Sequence, residues 1–278
     1  MLNEDTQPLV SVVMPTYNEP PRIVRAAIGS ILHQTYRNWE LFIIDDSTNG
    51  QTRQAIDDTA AGDRRIKVIR QEKKIGFVPA LNLGIELSNG LYIARMDGDD
   101  VSLPDRLARQ VAYLTSHPDV DILGGAMNIM DESGTTRAVR TYPGKCMKLN
   151  VFMVFRSPLA HPTVMFRSRI KADGHRYDTR FSKAEDLEFW LRLRNVGYRL
   201  DNMAVPLLNY RVIDAMVSKR NREQFRWNFK ARYKNFSVRH ILYDTLSLGV
   251  SACYCVLPSQ VIAYMYAREN KLSRNQMT

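Results

Sequence analysis

The chain has 278 residues, of which 45% are hydrophobic, enough for one large domain or for a domain with an extension. Lys and Arg number 39 against 29 for Asp and Glu, and this net charge of +10 indicates an anionic partner. Charge alone does not distinguish nucleic acid, an acidic membrane face and a phosphorylated substrate. The three cysteines are too sparse for a disulfide framework or a zinc site, and the start "MLNEDTQPLV" is unlike a signal peptide, so we expect a cytoplasmic protein.

Roughly as far as residue 120, short apolar runs alternate with amphipathic ones, a pattern typical of alternating strands and helices. Four apolar runs predict strands: Val10–Thr16, Trp39–Asp46, Ile66–Gln71 and Leu91–Asp97. Two sets of apolar residues recur between them at helical spacing: Ile23, Ala27 and Ile31, and then Phe77, Leu81 and Ile85. This order predicts an α/β fold with a mostly parallel, Rossmann-like central sheet that is covered by helices on both faces.

The next stretches add further elements. "SLPDRLARQVAYLTSH" predicts a helix with Ser102 as its N-cap and Pro104 in its first turn. After about Asp121 the pattern changes, and "DILGGAMNIMDESGTTRAVRTY" predicts two strands around a "DESG" turn. "HPTVMFR" predicts another strand, and "AEDLEFWLRLRNVG" a helix that ends at Gly197.

Three of the predicted strand ends carry unusual polar residues. These are "PTYNE" (Pro15–Glu19), "DDS" (Asp45–Ser47) and "DGDD" (Asp97–Asp100). Ligands of parallel α/β sheets bind beyond the carboxyl ends of the strands. We therefore expect the three motifs to meet at one ligand site.

The aspartates around Gly98 are the sharpest of these signals. Clustered carboxylates repel one another, and a divalent cation such as Mg²⁺ or Mn²⁺ removes the conflict. The alternative is that Asp99 and Asp100 are turn residues that cap the following helix. The chain contains neither G-x-G-x-x-G after its first strand nor G-x-x-x-x-G-K-[ST]. The phosphates of a bound nucleotide would therefore be neutralised by a metal rather than by a glycine-rich loop.

The stretches "VSVVMPTYNEPPRIVRAAIGSILHQTYRNWELFIIDDSTNG" and "ALNLGIELSNGLYIARMDGDD" together resemble glycosyltransferase family 2. This family comprises inverting sugar transferases of the GT-A fold, and the resemblance runs from about residue 10 to 211. It implies a nucleotide pocket lined by the loop at Pro15, Thr16 and Glu19. It also implies that Asp46 accepts a hydrogen bond from the base, typically uracil.

Asp97 and Asp99 match the D-x-D signature of the family. The resemblance implies that Asp99 coordinates Mn²⁺ or Mg²⁺ on the diphosphate and that Asp97 contacts the nucleotide, the ribose or the metal. Two places depart from the family pattern: Ile213 in "NYRVID" stands where members often carry a histidine, and "EKKI" precedes "GFVPALN" where an asparagine is frequent. None of the acids that the mechanism needs is missing.

The acceptor side of the expected site is formed by "AEDLEFWLRL" and "HPTVMFR". Asp186 matches the general base of the family, with Glu185 beside it. His161 is expected to face the site, and Trp190 to stack on an acceptor sugar. Each has a structural alternative: an acid favoured at a helix N-terminus, a histidine of the protein interior and a core tryptophan.

By this resemblance, residues 1–217 form a GT-A catalytic domain, with a nucleotide-binding half over about 8–120 and an acceptor-binding half over about 121–217. Residues 218–278 form a helical, basic and then apolar extension. The stretch Ser218–His240 interleaves basic and aromatic residues, as in a helix on an anionic membrane, although a helix packed on the domain and a nucleic-acid site are alternatives. The uncharged stretch Thr245–Ala267 suggests an interfacial or re-entrant segment more than a true span.

The resulting hypothesis is a metal-dependent inverting glycosyltransferase that uses a nucleotide-sugar donor, with UDP as the expected nucleotide. Its acceptor is a saccharide or lipid-linked hydroxyl in bacterial cell-surface polysaccharide synthesis, at the inner face of the cell membrane. No nucleic-acid partner is expected. The alternatives are a nucleic-acid-directed nucleotidyl transferase, for which the chain is too short, and a catalytically silent sugar-binding module of the same fold.

Overall fold

A computed structural model describes residues 7–144, 146–212 and 222–256, so Ile213 and the second half of Thr245–Ala267 lie outside the described part. The strands are β1 (Val10–Thr16), β2 (Trp39–Asp45), β3 (Ile66–Arg70), β4 (Tyr92–Arg95), β5 (Val101–Ser102), β6 (Ile122–Met130), β7 (Thr136–Arg140), β8 (Met165–Arg167) and β9 (Leu200–Arg211). The helices are α1 (Pro21–Leu32), α2 (Gly50–Ala60), α3 (Phe77–Leu87), α4 (Arg106–Ser116), α5 (Cys146–Phe155), α6 (Arg169–Ala172), α7 (Glu185–Asn195), α8 (Arg222–Lys234) and α9 (Ile241–Val256).

All nine strands join one sheet in the order β3-β2-β1-β4-β8-β6-β9-β5, with β7 paired to β6. The four strands β3, β2, β1 and β4 are parallel, as are β6 and β9. The remaining pairs are antiparallel. The α/β class predicted from the sequence is confirmed, and its parallel half is the half that carries the three polar strand ends.

Helices cover both faces of the sheet because successive residues of each buried strand point to opposite sides. Val12 and Met14 of β1 belong to a core shared with α1, α2 and α4, whereas Val13 belongs to the core shared with α3 and α7. A Cβ added at Gly84 of α3 would lie 2.3 Å from Cγ1 of Val13. The absence of a side chain at this glycine therefore lets α3 pack closely on β1.

Two local predictions are wrong. Helix α4 begins at Arg106, so Pro104 precedes the helix and Ser102 does not cap it. Ser102 lies instead in β5, where it pairs with Leu208 of β9, and its hydroxyl accepts a hydrogen bond of 3.0 Å from Arg106. A pairing with a strand about a hundred residues away overrides the local capping signal. The start of "HPTVMFR" is likewise a 3₁₀ turn, and the strand begins only at Met165.

Helices α8 and α9 pack on the body of the protein. On α8, Phe225 is buried and stacks on Tyr254 of α9, while Trp227 packs against Phe181. For these two aromatic rings, the structure agrees with the alternative of a helix packed on the domain and not with the expected membrane contact. Among residues 7–144, 146–212 and 222–256, no helix has both the length and the apolar character that a bilayer span requires.

Candidate active site

The carboxyl ends of β1, β2 and β4 lie at the same edge of the sheet, as the sequence predicts. The backbone N–H of Asp46 donates to the carbonyl of Thr16 at 3.0 Å, and the N–H of Met96 donates to that of Val13 at 3.0 Å. The Thr16 hydroxyl donates to the Asp45 carboxylate at 3.3 Å. Pro15 is buried within β1, opposite Ile44 of β2. The loops that follow the three strands therefore converge.

Three aspartates form a carboxylate triad just beyond β4. One ligand oxygen from each of Asp97, Asp99 and Asp100 lies within 4.8 Å of the others. Burial, together with the charge of Asp97, raises the pKa of Asp99 to about 6. The same causes raise the pKa of Asp100 well above its ordinary value. Such shifts mean that the triad holds its full negative charge only at a cost.

The fit of this triad to a divalent metal can be judged from its donor atoms. All are carboxylate oxygens, the ligands that Mg²⁺ and Mn²⁺ prefer. Asp100 Oδ1 accepts the backbone N–H of Arg211 at 2.9 Å, but its buried Oδ2 has no hydrogen-bond partner among the described residues. An unpartnered buried carboxylate oxygen is costly unless a cation or a proton satisfies it. The residues present therefore fit a divalent cation.

Glu19 faces this triad from the loop after β1. Both of its carboxylate oxygens accept the backbone N–H of Tyr17, at 3.0 and 2.9 Å. Burial and the charges of Asp99 and Asp97 raise its pKa to about 7. A Cβ at Gly98 would lie 2.9 Å from Cγ2 of Thr16 and 3.3 Å from Cδ of Glu19, so only glycine lets the two loops approach this closely.

Asp46, expected to read the base, is buried and already engaged with the backbone. Its oxygens accept N–H groups from Ile75 at 3.3 Å and from Gly76 at 2.7 Å. These contacts tie the end of β2 to the segment that leads into α3. Each carboxylate oxygen has a second lone pair, so the two contacts leave capacity for a further donor.

Helix α7, whose first acid lies within electrostatic reach of Arg95 and Asp97, begins with Glu185 and Asp186 directly after Ala184 in a left-handed conformation (φ 58°). The Ser157 hydroxyl donates to Oδ2 of Asp186 at 2.8 Å. Burial raises the pKa of Asp186 above its ordinary value. Burial and the charge of Asp186 raise the pKa of Glu185 to about 7. Both acids therefore face a partly dehydrated space.

His161 lies beside this pair. Its Nδ1 is 3.9 Å from Oε1 of Glu185, and its Nε2 shares a hydrogen bond of 2.9 Å with the hydroxyl of Tyr177. Burial and the charge of Arg95 lower the pKa of His161 well below its ordinary value. The imidazole is therefore neutral at physiological pH.

The prediction that Trp190 stacks on an acceptor sugar is wrong for this structure, because the side chain has no exposed surface. Its ring packs edge-on against His161 and Tyr177, with centroids 6.0 and 6.3 Å away. Helix α7 turns this residue toward the sheet, where it supports the site from below. The core alternative considered for this tryptophan is the one that the structure shows.

Arg95, which sequence reasoning did not single out, lies between the two groups of acids. Its guanidinium pairs with Asp97 and lies 5.3 Å from the ring of Phe77. Burial would lower its pKa, but the charges of facing groups, including Asp97, Asp100 and Glu185, raise it. Nε and Nη1 are buried and have no hydrogen-bond partner among the described residues. Arg95 is thus a buried counter-ion common to the triad and to the start of α7.

Other residues that sequence reasoning missed hold the loops in place. Asn18, in a left-handed conformation (φ 60°), accepts the backbone N–H groups of Thr48 and Asn49 at 2.8 and 3.1 Å. Arg211, at the end of β9, donates from Nε to the carbonyl of Asp99 at 3.1 Å. The available sequence signal for Asn18 was the tolerance of asparagine for this backbone region, and Arg211 carries no comparable signal.

The chain belongs to glycosyl transferase family 2, because the profile of that family matches residues 11–175. It is 33% identical to the O-antigen biosynthesis glycosyltransferase WbnJ of Escherichia coli over 215 residues, 76% of this chain and 82% of that protein. It is 27% identical to the amylovoran biosynthesis glycosyltransferase AmsE of Erwinia amylovora over 271 residues, 95% of this chain and all of the relative.

Solved structures share the fold. TarS 1–349 of S. aureus in complex with UDP-GlcNAc superposes with a TM-score of 0.68 at 19% identity, over 87% of this chain and 71% of that one. This chain spans 42% of the longer TarS chain. The mannosyltransferase PcManGT of Pyrobaculum calidifontis, in complex with GDP-Man and Mn²⁺, has a TM-score of 0.66 at 19% identity, over 97% of this chain and 81% of that one. These likenesses confirm the GT-A fold.

Proposed function

We propose that this protein is an inverting, metal-dependent glycosyltransferase that transfers a sugar from a UDP-linked donor to a hydroxyl group. One observation carries the proposal: the carboxylate triad after β4 and the acid pair that begins α7 face the same buried cation, Arg95. A transferase needs one group of acids for the metal-bound diphosphate and one acid for the acceptor hydroxyl, on opposite sides of the sugar.

On the donor side, Asp99 and Asp97 would hold Mn²⁺ or Mg²⁺, with Asp100 as a third carboxylate within reach. When bound, the cation supplies Lewis-acid stabilisation of the charge that develops on the departing diphosphate. Asp46 would accept a hydrogen bond from uracil, and the loop of Thr16 and Glu19 would border the nucleotide. The UDP-GlcNAc complex of TarS supports a UDP-linked donor, and the Mn²⁺ complex of PcManGT supports the metal.

On the acceptor side, Asp186 would take the proton of the attacking hydroxyl. The hydrogen bond from Ser157 fixes the orientation of its carboxylate, and the raised pKa of Asp186 makes it a better proton acceptor than an ordinary aspartate. Glu185 and neutral His161 would border the acceptor. A single displacement with the base opposite the leaving group inverts the anomeric centre.

The proposed acceptor is a saccharide or a lipid-linked sugar, in the assembly of a cell-surface polysaccharide. This choice of acceptor is supported by the two relatives WbnJ and AmsE, which are named for O-antigen and amylovoran biosynthesis. A peripheral contact with an anionic membrane at the inner face of the cell membrane fits such an acceptor and the net charge of +10.

The test is thermal unfolding of the purified protein with UDP or GDP, each with and without Mn²⁺. A ligand that binds only the folded state raises stability by about 2.7 kcal/mol at a concentration of a hundred times its Kd. We expect Mn²⁺-dependent protection by UDP and little protection by GDP. An oligonucleotide is measured in the same way, and protection by the oligonucleotide alone would contradict the proposal. Turnover of a panel of UDP-sugars with a lipid-diphosphate acceptor then identifies the sugar.

A further inference from the structure

Helix α9 (Ile241–Val256) packs on the protein largely through polar side chains, and its Tyr254 ring also stacks on Phe225 of α8. Three of its residues are buried, and all three are polar: Asp244, Ser247 and Ser251. The Asp244 carboxylate pairs with Arg194 of α7 at 2.8 and 2.9 Å. The Ser247 hydroxyl pairs with the buried guanidinium of Arg232 in α8. Ion pairs and hydrogen bonds therefore make up most of the fully buried face of a helix that ordinarily would bury apolar residues.

Several large apolar residues of α9 point outward. Leu242 is 75% exposed, Leu246 is 54% exposed and Val256 is 77% exposed. Together with the exposed Cys253 they recur at helical spacing along one side, and we call these four residues the α9 stripe. Ile241, the residue before Leu242, is also exposed, at 54% of its surface. A soluble surface helix has the opposite arrangement, so the α9 stripe marks a surface that something apolar covers.

The charges around the α9 stripe indicate what covers it. Arg239 is exposed in the 3₁₀ turn that leads into α9. At the other end of the helix, exposed Arg226 of α8 is close enough to Cys255 to influence its pKa. An apolar stripe on a helix with exposed basic residues near both of its ends is complementary to a bilayer of anionic lipids, whose headgroups attract Lys and Arg while the acyl boundary receives leucines.

The chain beyond the described part of α9 has the same character. The stretch 257–267 contains no charged residue, and basic residues follow it at Arg268, Lys271 and Arg274. A second copy of this protein is a poorer occupant, because each copy carries a net charge of +10 and like charges oppose a two-fold contact through the α9 stripe.

The position of α9 also connects this surface to the site. The buried Arg232 donates to the carbonyl of Met153 in α5, and the Ser247 hydroxyl lies 3.4 Å from the carbonyl of Val154. Three residues beyond Val154 the chain reaches Ser157, which holds Asp186. The helix with the outward apolar stripe therefore packs directly on the segment that orients the acceptor side.

We propose that the α9 stripe is a docking surface for an anionic lipid bilayer and that it brings the acceptor side of the site to the membrane. This inference rests on the proposed function for its choice of a lipid-linked acceptor, but the surface itself is defined by α9 alone. It differs from the expectation drawn from the sequence, in which the aromatic residues of Ser218–His240 made the contact. In the structure, Phe225 and Trp227 pack inward, Tyr233 and Phe236 stay exposed, and α9 supplies a separate apolar stripe.

The first test is cosedimentation of the full chain with vesicles of phosphatidylcholine alone or of equal parts phosphatidylcholine and phosphatidylglycerol. We expect binding to the anionic vesicles that weakens as salt is raised. The double substitution Leu242→Glu/Leu246→Glu should weaken this binding roughly a hundredfold, since two leucines no longer enter the lipid. The matched control is Leu91→Glu/Val196→Glu, two exposed apolar positions elsewhere on the surface, which should bind like the parent.

Equal binding by the L242E/L246E variant and the parent would overturn the proposal. So would the absence of vesicle binding together with a dimer that L242E/L246E dissolves, since a second copy would then be the occupant. Protection of the same variant by UDP and Mn²⁺ is measured in parallel. If L242E/L246E is still protected by UDP and Mn²⁺ but no longer binds vesicles, the docking surface is supported. If UDP and Mn²⁺ fail to protect even the parent, the proposed enzyme activity is contradicted but the docking surface is not.

A second test needs no change to the leucines. With Cys146→Ser/Cys255→Ser in place, Cys253 is labelled with a polarity-sensitive fluorophore, and a cysteine-free protein carrying Val196→Cys is the control. Anionic vesicles should shift the emission of the Cys253 label to the blue and leave the control label unchanged. A label that is already shielded without vesicles, and that vesicles leave unchanged, would mean that another part of the chain covers the stripe and would overturn the proposal.

Discussion

The Ser157 hydroxyl donates a hydrogen bond of 2.8 Å to Oδ2 of Asp186, and so holds one of the two acids that begin α7 from outside the helix. The two residues belong to different elements, since Ser157 follows α5 and Asp186 begins α7. The contact fixes the orientation of the Asp186 carboxylate, which the proposed role as a general base requires.

Replacement of Asp186 by Asn should abolish transfer and leave the donor pocket intact. The amide cannot accept a proton, and loss of a general base lowers turnover by about 10²–10⁴-fold. Protection by UDP and Mn²⁺ should be unchanged. Ser157→Ala should lower turnover only about tenfold, because it removes one hydrogen bond to a charged group. UDP release and thermal unfolding measure the two properties, and equal loss of both in Asp186→Asn would mean that the residue is structural.

Asp99→Asn should remove the dependence of UDP protection on Mn²⁺. The substitution deletes a charged ligand from the carboxylate triad while keeping its size, so the metal is held less tightly. Isothermal titration of Mn²⁺ in the presence of UDP measures the loss directly. Asp105→Asn is the matched control, because that carboxylate is exposed and pairs with Arg109 one turn along α4. Unchanged Mn²⁺ affinity in Asp99→Asn would exclude this residue as a ligand.

Arg95→Met should destabilise the protein by about 3–5 kcal/mol, because it leaves the facing carboxylates buried without their counter-ion. The loss should shrink as the pH falls toward 5, since the raised pKa values of Glu185 (about 7) and Asp100 let these two groups take up protons and so remove part of the uncompensated charge. Arg25→Met is the control: its ion pair with Asp58 is about half exposed and should contribute at most about 1 kcal/mol. Urea unfolding at several pH values measures both variants, and a pH-independent loss in Arg95→Met would contradict the counter-ion role.

Glu19 should make the metal-free protein less stable at alkaline than at mildly acidic pH. Its pKa rises from 4.5 to about 7 on folding, so the folded protein binds more protons than the unfolded chain between these values. Stability therefore falls as the pH rises through this window, by up to about 3 kcal/mol. Glu19→Gln should flatten the profile and raise the melting temperature at pH 8, whereas Glu72→Gln, at an exposed position, should not. A profile that Glu19→Gln leaves unchanged would assign the pH dependence to other groups.

The parallel half of the fold could be predicted because its signals are local. The predicted bounds of β1 match the structure, since a β-branched run bounded by proline and turn residues specifies a buried strand. The convergence of the loops after β1, β2 and β4 follows from parallel pairing alone. Sequence was therefore sufficient to bring Asp46 and the carboxylate triad to one edge.

What could not be predicted depends on contacts distant in sequence. Ser102 reads as a helix cap until β9 pairs with it. Arg95 has no distinct signal within the predicted strand Leu91–Asp97, and its role emerges only when the fold surrounds it with Phe77 and Glu185. The exposed face of α9 was hidden for a different reason: periodicity identifies an apolar stripe but presumes that it faces inward, and here Asp244 anchors the opposite face to Arg194. Partners supplied by the tertiary fold decided each of these cases.

The Asp46 carboxylate is held by the N–H groups of Ile75 and Gly76 before any nucleotide binds. In its proposed role, this side chain has already lost its rotational freedom during folding, so recognition of the base is preorganised and adds little entropic penalty to association. Sequence changes in the segment ahead of α3 would then shift the preference among nucleobases and leave the chemical step unchanged. Donor choice could therefore diverge among related enzymes through this segment alone.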